Sequence, residues 1–275
     1  MGINWKKSSR KEIIDNISEA GINDNILHIH IPKCGGIWAK SILYCCDGIT
    51  HRFNHGHSIA AAIKDYLEDQ GYNWDDFHKC TVVRDPWSKI WSGYKFTKWG
   101  GDFHQKNKLH YVNRQVFNPI RDESLDLLED SNTKVFEGYG MNNNLGETFK
   151  EYVDSLYKIY KEDKLGQDVE PGDLEKILKS LPKNIYITPQ WRFLTDIDNE
   201  SLLVDKVFKI NEMDKLFDWA RNINGDHGIV LRSKFQNHVN VSENRIHHYN
   251  VYDDEMINKI GEIYQKDIDL FNLEY

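Results

Sequence analysis

Apolar and polar positions along the chain change period repeatedly, and each change marks a switch between strand-like and helix-like segments. "NILHIHI" (25–31), "HKCTVVRD" (78–85), "NIYIT" (184–188) and "DKVFKI" (205–210) are short runs rich in β-branched and apolar residues, which predicts strands. "SSRKEIIDNISEAG" (8–21) places Ser9 and Glu12 in capping-box spacing and ends in glycine, which predicts a short amphipathic helix. Helical spacing also runs through "IWAKSILYCC" (37–46), Ser58 to Gln70 with Gly71 as its stop, "PWSKIWSGYKF" (86–96) and "NEMDKLFDWARNI" (211–223). In "DDEMINKIGEIYQKDIDLF" (253–271), Met256, Ile260, Ile263 and Ile268 are spaced to share one buried face. Alternation of the two kinds of segment predicts an α/β fold around a largely parallel sheet. Between Trp99 and Phe149 no period holds, so that region is expected to be an irregular insertion or substrate loop within one domain spanning residues 1–275.

Composition narrows the function classes. A chain of 275 residues, 40% hydrophobic, can bury a core without disulfide or metal staples. The net charge of −8 argues against a nucleic-acid partner, although Lys106, Lys108, Arg114 and Arg121, with His104 and His110, form a local island of opposite sign. No segment approaches the ~20 apolar residues of a membrane span, and the start has no signal-peptide pattern, so a soluble, cytoplasmic protein is expected. Cys34, Cys45, Cys46 and Cys80 then read as reduced thiols. The His28/His30 and His55/His57 pairs lack cysteines at a ligand spacing beside them, and no metal is expected.

Candidate chemistry lies at two strand–helix joins. After the first strand, "IPKCGG" supplies Lys33 as a mobile charge, while Gly35 and Gly36 allow close backbone approach. The amides opening the next helix can donate to an anion. After "HKCTVV", Arg84 stands at the strand end, Asp85 is a good N-cap and Pro86 a good first helical residue. Ser92, on that helix between Ser88 and Lys95, leans back toward Arg84. A guanidinium and a hydroxyl suit a phosphate monoester. Two such joins on neighbouring strands imply a ligand with phosphates at both ends.

"IPKCGG" with "VVRDPWSKIWSGY" resembles the signature pair of sulfotransferases that use 3′-phosphoadenosine 5′-phosphosulfate, roughly P-K-T-G-[GS]-T-S and V-R-D-P-x-x-R-x-x-S. The resemblance implies that Lys33 and the Cys34, Gly35, Gly36, Ile37 and Trp38 stretch hold the 5′ end. Arg84 and Ser92 would hold the 3′ phosphate. "NHGHSI" resembles the His-Gly-His segment of glycan 2-O-sulfotransferases, which implies His57 as general base with His55 supporting it. "ITPQWRF", "FKINEMDKL" and "HVNVSENR" resemble the later part of the carbohydrate sulfotransferases, with Asn240, Ser242 and Arg245 as lid contacts over the nucleotide. The resemblance runs in patches from about residue 26 to 271 and leaves Trp99 to Phe149 unmatched. Cys34, Ile37 and Trp38 depart from it by standing where hydroxyl residues are usual.

The fold so implied is a P-loop-like three-layer α/β/α arrangement, a central mainly parallel sheet flanked by helices. The implied reaction is in-line transfer of a sulfuryl group to an acceptor hydroxyl, with a saccharide favoured as acceptor. It leaves 3′-phosphoadenosine 5′-phosphate and needs no metal. Two other readings stand beside it: a nucleotide-dependent kinase, against which the missing Walker spacing counts, and a non-catalytic nucleotide binder, which the altered Cys34–Trp38 stretch favours.

Overall fold

A computed structural model of the chain describes residues 26–45, 59–69, 71–95, 145, 146, 148–182, 185–224 and 248–275. Strands β1 (Ile26–Ile29), β2 (His78–Val83) and β3 (Lys206–Lys209) form a parallel sheet with β2 in the centre. Its register pairs Ile26 with His78 and Ile29 with Thr81 on one side of β2, and Cys80 with Lys206 and Val83 with Lys209 on the other. Parallel strands need crossovers, and helices supply them. Helix α1 (Gly36–Cys45) and α2 (Ala60–Asp69) follow β1, α3 (Pro86–Lys95) follows β2, and α6 (Met213–Asn224) follows β3. Between α3 and β3 lie α4 (Phe149–Asp163) and α5 (Leu174–Ser180), and the described chain closes with α7 (Asp254–Ile263) and α8 (Gln265–Phe271).

Strand parity sorts the core. Ile26, Cys80, Val82 and Phe208 face one way and pack with Ala39 and Leu43 of α1 and Met213, Leu216 and Ala220 of α6. Leu27, Ile29 and Val83 face the other way, against Ile59, Ala60 and Ile63 at the start of α2 and against Trp191, Phe193 and Phe271. All six residues of β2 except His78 are buried, as expected of a central strand covered on both faces. A further cluster joins Trp87, Ile90, Trp91 and Tyr94 of α3 to Tyr152, Val153 and Leu156 of α4 and Met256, Ile260 and Ile263 of α7. It anchors α3, and therefore the loop that precedes it.

The predicted strands at the first, second and last positions form, and so do the helices beginning near residues 36, 60, 86 and 213. Helix α2 ends as its glycine implied: the Gly71 amide donates to the Glu68 carbonyl and the Tyr72 amide to Leu67, the Schellman pattern.

Three readings change. Of the strand expected over 184–188, the described residues Ile185 to Thr188 make turns instead: the Ile185 carbonyl accepts from the Thr188 amide, and the next three carbonyls accept from side chains. Lys89 Nζ donates to the Tyr186 and Thr188 carbonyls at 2.8 and 2.9 Å, and the Tyr264 hydroxyl donates to Ile187 at 2.6 Å. The stretch from 253 to 271 is two helices, because Tyr264 leaves helical geometry at φ −110° and ψ 24° to reach that carbonyl. Helices α4 and α5 occupy a region to which periodicity assigned no element. The helix predicted over 8–21, the basic island 104–121, and His55, His57, Asn240, Ser242 and Arg245 lie outside the described residues.

Candidate anion-binding site

The first join is a tight loop running from β1 into α1. Lys33 and Gly35 both have left-handed backbone, with φ of 66° and 76°. For glycine that region carries no penalty, whereas for lysine it costs on the order of 1–2 kcal/mol, and such strain tends to persist where a site depends on it. Gly36 is the first residue of α1, and a methyl group added to it would come 1.8 Å from His30 Nε2. The His30 ring therefore lies directly over the start of the helix, stacked on His28 with centroids 5.8 Å apart. Helical bonding begins with the Ala39 amide donating to the Gly35 carbonyl at 2.9 Å. The amides of Gly36, Ile37 and Trp38 thus precede the first intrahelical bond and form the donor end of the helix.

Side chains of this loop do not share one role. Cys34 turns its thiol inward, where Sγ donates to Gln190 Oε1 at 3.1 Å, and burial raises the thiol to about 12. It cannot act as a thiolate there. The Trp38 side chain packs against the cluster between α1 and α6. The groups that the loop can offer a ligand are the Lys33 ammonium and backbone amides.

At the second join, Asp85 caps α3 as expected, accepting from the Ser88 amide at 2.7 Å. The Ser88 hydroxyl donates to the same carboxylate and accepts from Arg84 Nε, the latter at 2.7 Å. Arg84 is thereby aimed by its own helix cap. A second contact takes it across the sheet: Arg84 Nη1 donates to the Lys33 carbonyl at 3.2 Å. Ser92 lies one turn beyond Ser88 on α3, partly exposed, and makes no side-chain hydrogen bond among the described residues.

This closeness is electrostatically costly. Burial first and Arg84 second lower the Lys33 ammonium from 10.5 to about 8. Burial likewise lowers Arg84, and burial with Arg84 lowers Lys95, whose Nζ sits 5.3 Å from the centre of the Trp91 ring. Two buried or half-buried ammonium groups, each depressed further by the Arg84 guanidinium, are the arrangement a polyanion would relieve. Among the described residues, no group of three His, Cys, Asp or Glu side chains is placed to hold a metal ion, and no helix is long and apolar enough to cross a membrane.

Beneath the loops runs a buried polar network that sequence reading did not find. Gln190 opens a 3₁₀ turn, Gln190–Phe193, and is fully buried. Its Oε1 accepts from the Arg84 amide at 2.9 Å and its Nε2 donates to the Arg84 carbonyl at 2.7 Å. The turn is held in its own right, because Asp267 of α8 accepts from the Gln190 and Trp191 amides, both at 2.8 Å. Burial raises Asp267 to about 6 despite these bonds and the nearby Lys89. Two open concavities lie elsewhere, one of about 590 Å³ beside Tyr160, Glu262 and Lys266, the other of about 310 Å³ beside Lys64, Trp74 and Asp205. The candidate site is the pair of joins, where the helix amides, Lys33 and Arg84 come together. Comparison of the chain with protein-family profiles, with curated proteins and with solved structures finds no match.

Proposed function

We propose that the chain is a sulfotransferase with a P-loop-like three-layer α/β/α fold, transferring a sulfuryl group from 3′-phosphoadenosine 5′-phosphosulfate to a hydroxyl, a saccharide hydroxyl by preference. The observation that carries the reading is the contact from Arg84 Nη1 to the Lys33 carbonyl, 3.2 Å across neighbouring parallel strands. It sets a guanidinium suited to a phosphate against a loop whose lysine and helix amides suit a second anionic group.

On this reading the acceptor oxygen attacks sulfur, the bond from sulfur to the bridging oxygen breaks, and the acceptor proton passes to His57, with His55 supporting it. Lys33 neutralises charge gathering on the departing oxygen. Arg84, with Ser92 one turn beyond Ser88 on α3, holds the 3′ phosphate, and Asn240, Ser242 and Arg245 cover the nucleotide. The chemistry asks for positioning and charge stabilisation, with no covalent intermediate on the protein.

The test is incubation with labelled donor and a panel of saccharides, phenols and alcohols, with mass spectrometry for the added mass of SO₃. Transfer to a panel member is expected, with Lys33→Ala and His57→Ala each lowering turnover by roughly 10². Arg84→Ala is expected to act mainly on donor affinity. Tight binding of the bisphosphate without transfer to any acceptor would favour a non-catalytic binder, the reading consistent with a loop whose Cys34 and Trp38 side chains both face the interior. A magnesium-dependent response to ATP would favour a kinase.

A further inference from the structure

Gln190 belongs to neither strand–helix join, yet it touches both. The Arg84 backbone, one residue past the end of β2, presents an amide and a carbonyl that no further strand residue takes up; both bond to the Gln190 side chain, at 2.9 and 2.7 Å. The same Oε1 accepts from Cys34 in the Lys33 loop at 3.1 Å. A primary amide is the one side-chain end group that combines a fixed acceptor and fixed donors in a plane, so it pairs with a peptide as another peptide would. From the opposite side, Asp267 holds the Gln190 backbone with two hydrogen bonds, and Lys89 Nζ ties down the preceding turn through the Tyr186 and Thr188 carbonyls. Gln190 is therefore a rigid bracket between the residue before Gly35 and the residue before Asp85.

We infer that Gln190 is a positioning residue: by bonding Cys34 and the Arg84 backbone together it sets the placement of Lys33 relative to Arg84. That amide acts together with the Arg84 Nη1 contact to the Lys33 carbonyl in setting the span between the two anion-holding groups. The inference rests on the proposed function only for the identity of the ligand, since the placement of Lys33 against Arg84 exists without one. It also gives Cys34 a task. A thiol there is a donor aimed at the bracket and not at a bound phosphate.

The experiment reads Lys33 itself in the full chain. The rate at which its amine is acylated, followed against pH by peptide mass spectrometry, reports the fraction that is neutral. In the wild-type protein the midpoint is expected near the lowered value of about 8. Gln190→Met keeps the length but removes both bonds to Arg84, and the midpoint should rise by about one pH unit as Lys33 and Arg84 separate and gain water. Ile260→Val, a truncation in the distant α7 core, should leave it unchanged. An unchanged midpoint in Gln190→Met would overturn the inference.

Gln190→Glu is a second, nearly isosteric variant. As a neutral acid it retains a donor and an acceptor, and as a carboxylate it can only accept. Its affinity for 3′-phosphoadenosine 5′-phosphate should therefore fall more steeply than the wild-type affinity from about pH 5 to about pH 7.5. Parallel profiles would count against the bracket. If the wild-type protein binds no bisphosphate, the sulfotransferase reading falls, and the Lys33 titration still decides the role of Gln190.

Discussion

Lys33 sits in a conflict that a ligand would resolve. Its folded value, about 8, lies below the ordinary 10.5, so the amine is protonated below about pH 8 and neutral above it. Anion affinity should therefore fall as pH rises through 8, and Lys33→Arg, which stays charged, should flatten that profile; calorimetric titration with the bisphosphate checks this. The stability sign follows from proton counting. Between about 8 and 10.5 the unfolded chain binds more protons at this position than the folded chain, so stability rises with pH across that window. At neutral pH the cation is a cost. Lys33→Met should raise the unfolding free energy by on the order of 1–3 kcal/mol while weakening anion binding, a trade seen when binding groups are removed. The placement of Lys33, Gly35, Gly36 and Arg84 at the two strand–helix joins was legible in the sequence because each lies within a few residues of its own strand end. The direction of the Cys34 thiol was not, because its partner lies 156 positions away. Nor was the pairing of Arg84 with Ser88: both serines lie on the following helix, and the nearer one is engaged by the Asp85 cap.

Among elements, the start of α1 is the most constrained. Gly36 accepts no side chain while His30 lies over it, so Gly36→Ala should lower the unfolding free energy by about 1–3 kcal/mol. Adding His30→Ala should recover much of that loss, a coupling that a double-mutant cycle by chemical denaturation measures. Additive effects would show that the ring simply swings aside. At the neighbouring join, Asp85→Ala should cost about 1 kcal/mol through loss of the cap and should also loosen Arg84, which Ser88 ties to that carboxylate. Buried apolar runs revealed β1 and β2, the latter a central parallel strand covered on both faces, whereas β3 buries only Phe208. The same pattern misread the segment at Ile185 to Thr188, where Ile185 and Ile187 are buried but pair with no strand among the described residues. Their burial is real, but side chains of α3 and α8's N-terminal boundary claim the backbone acceptors that a ladder would use.

For the molecule as a whole, Asp267 joins α8 to the turn that braces both loops. Its folded value of about 6 is above the ordinary 3.8, so the fold favours the protonated carboxyl. That contribution is complete below about pH 4 and is lost as pH rises through 6. Wild-type stability should carry a decline on the order of 2–3 kcal/mol across this window that Asp267→Asn lacks, as read by denaturation at a series of pH values. The variant should be less stable at low pH, because its amide can accept only one of the two backbone donors from Gln190 and Trp191. Equal pH slopes in the two proteins would remove Asp267 from the account. The sequence by itself determined the α/β alternation, the strand–helix joins with their cap and glycines, and the charges placed there, because these depend on neighbours within one turn or one strand. Only the tertiary structure decided the contact by which Arg84 reaches the Lys33 carbonyl, that a turn replaces the expected strand at 185–188, and that Gln190 and Asp267 stand beneath the two joins. Those choices are made by burial, which leaves each backbone polar group to the nearest partner the whole chain can bring to it.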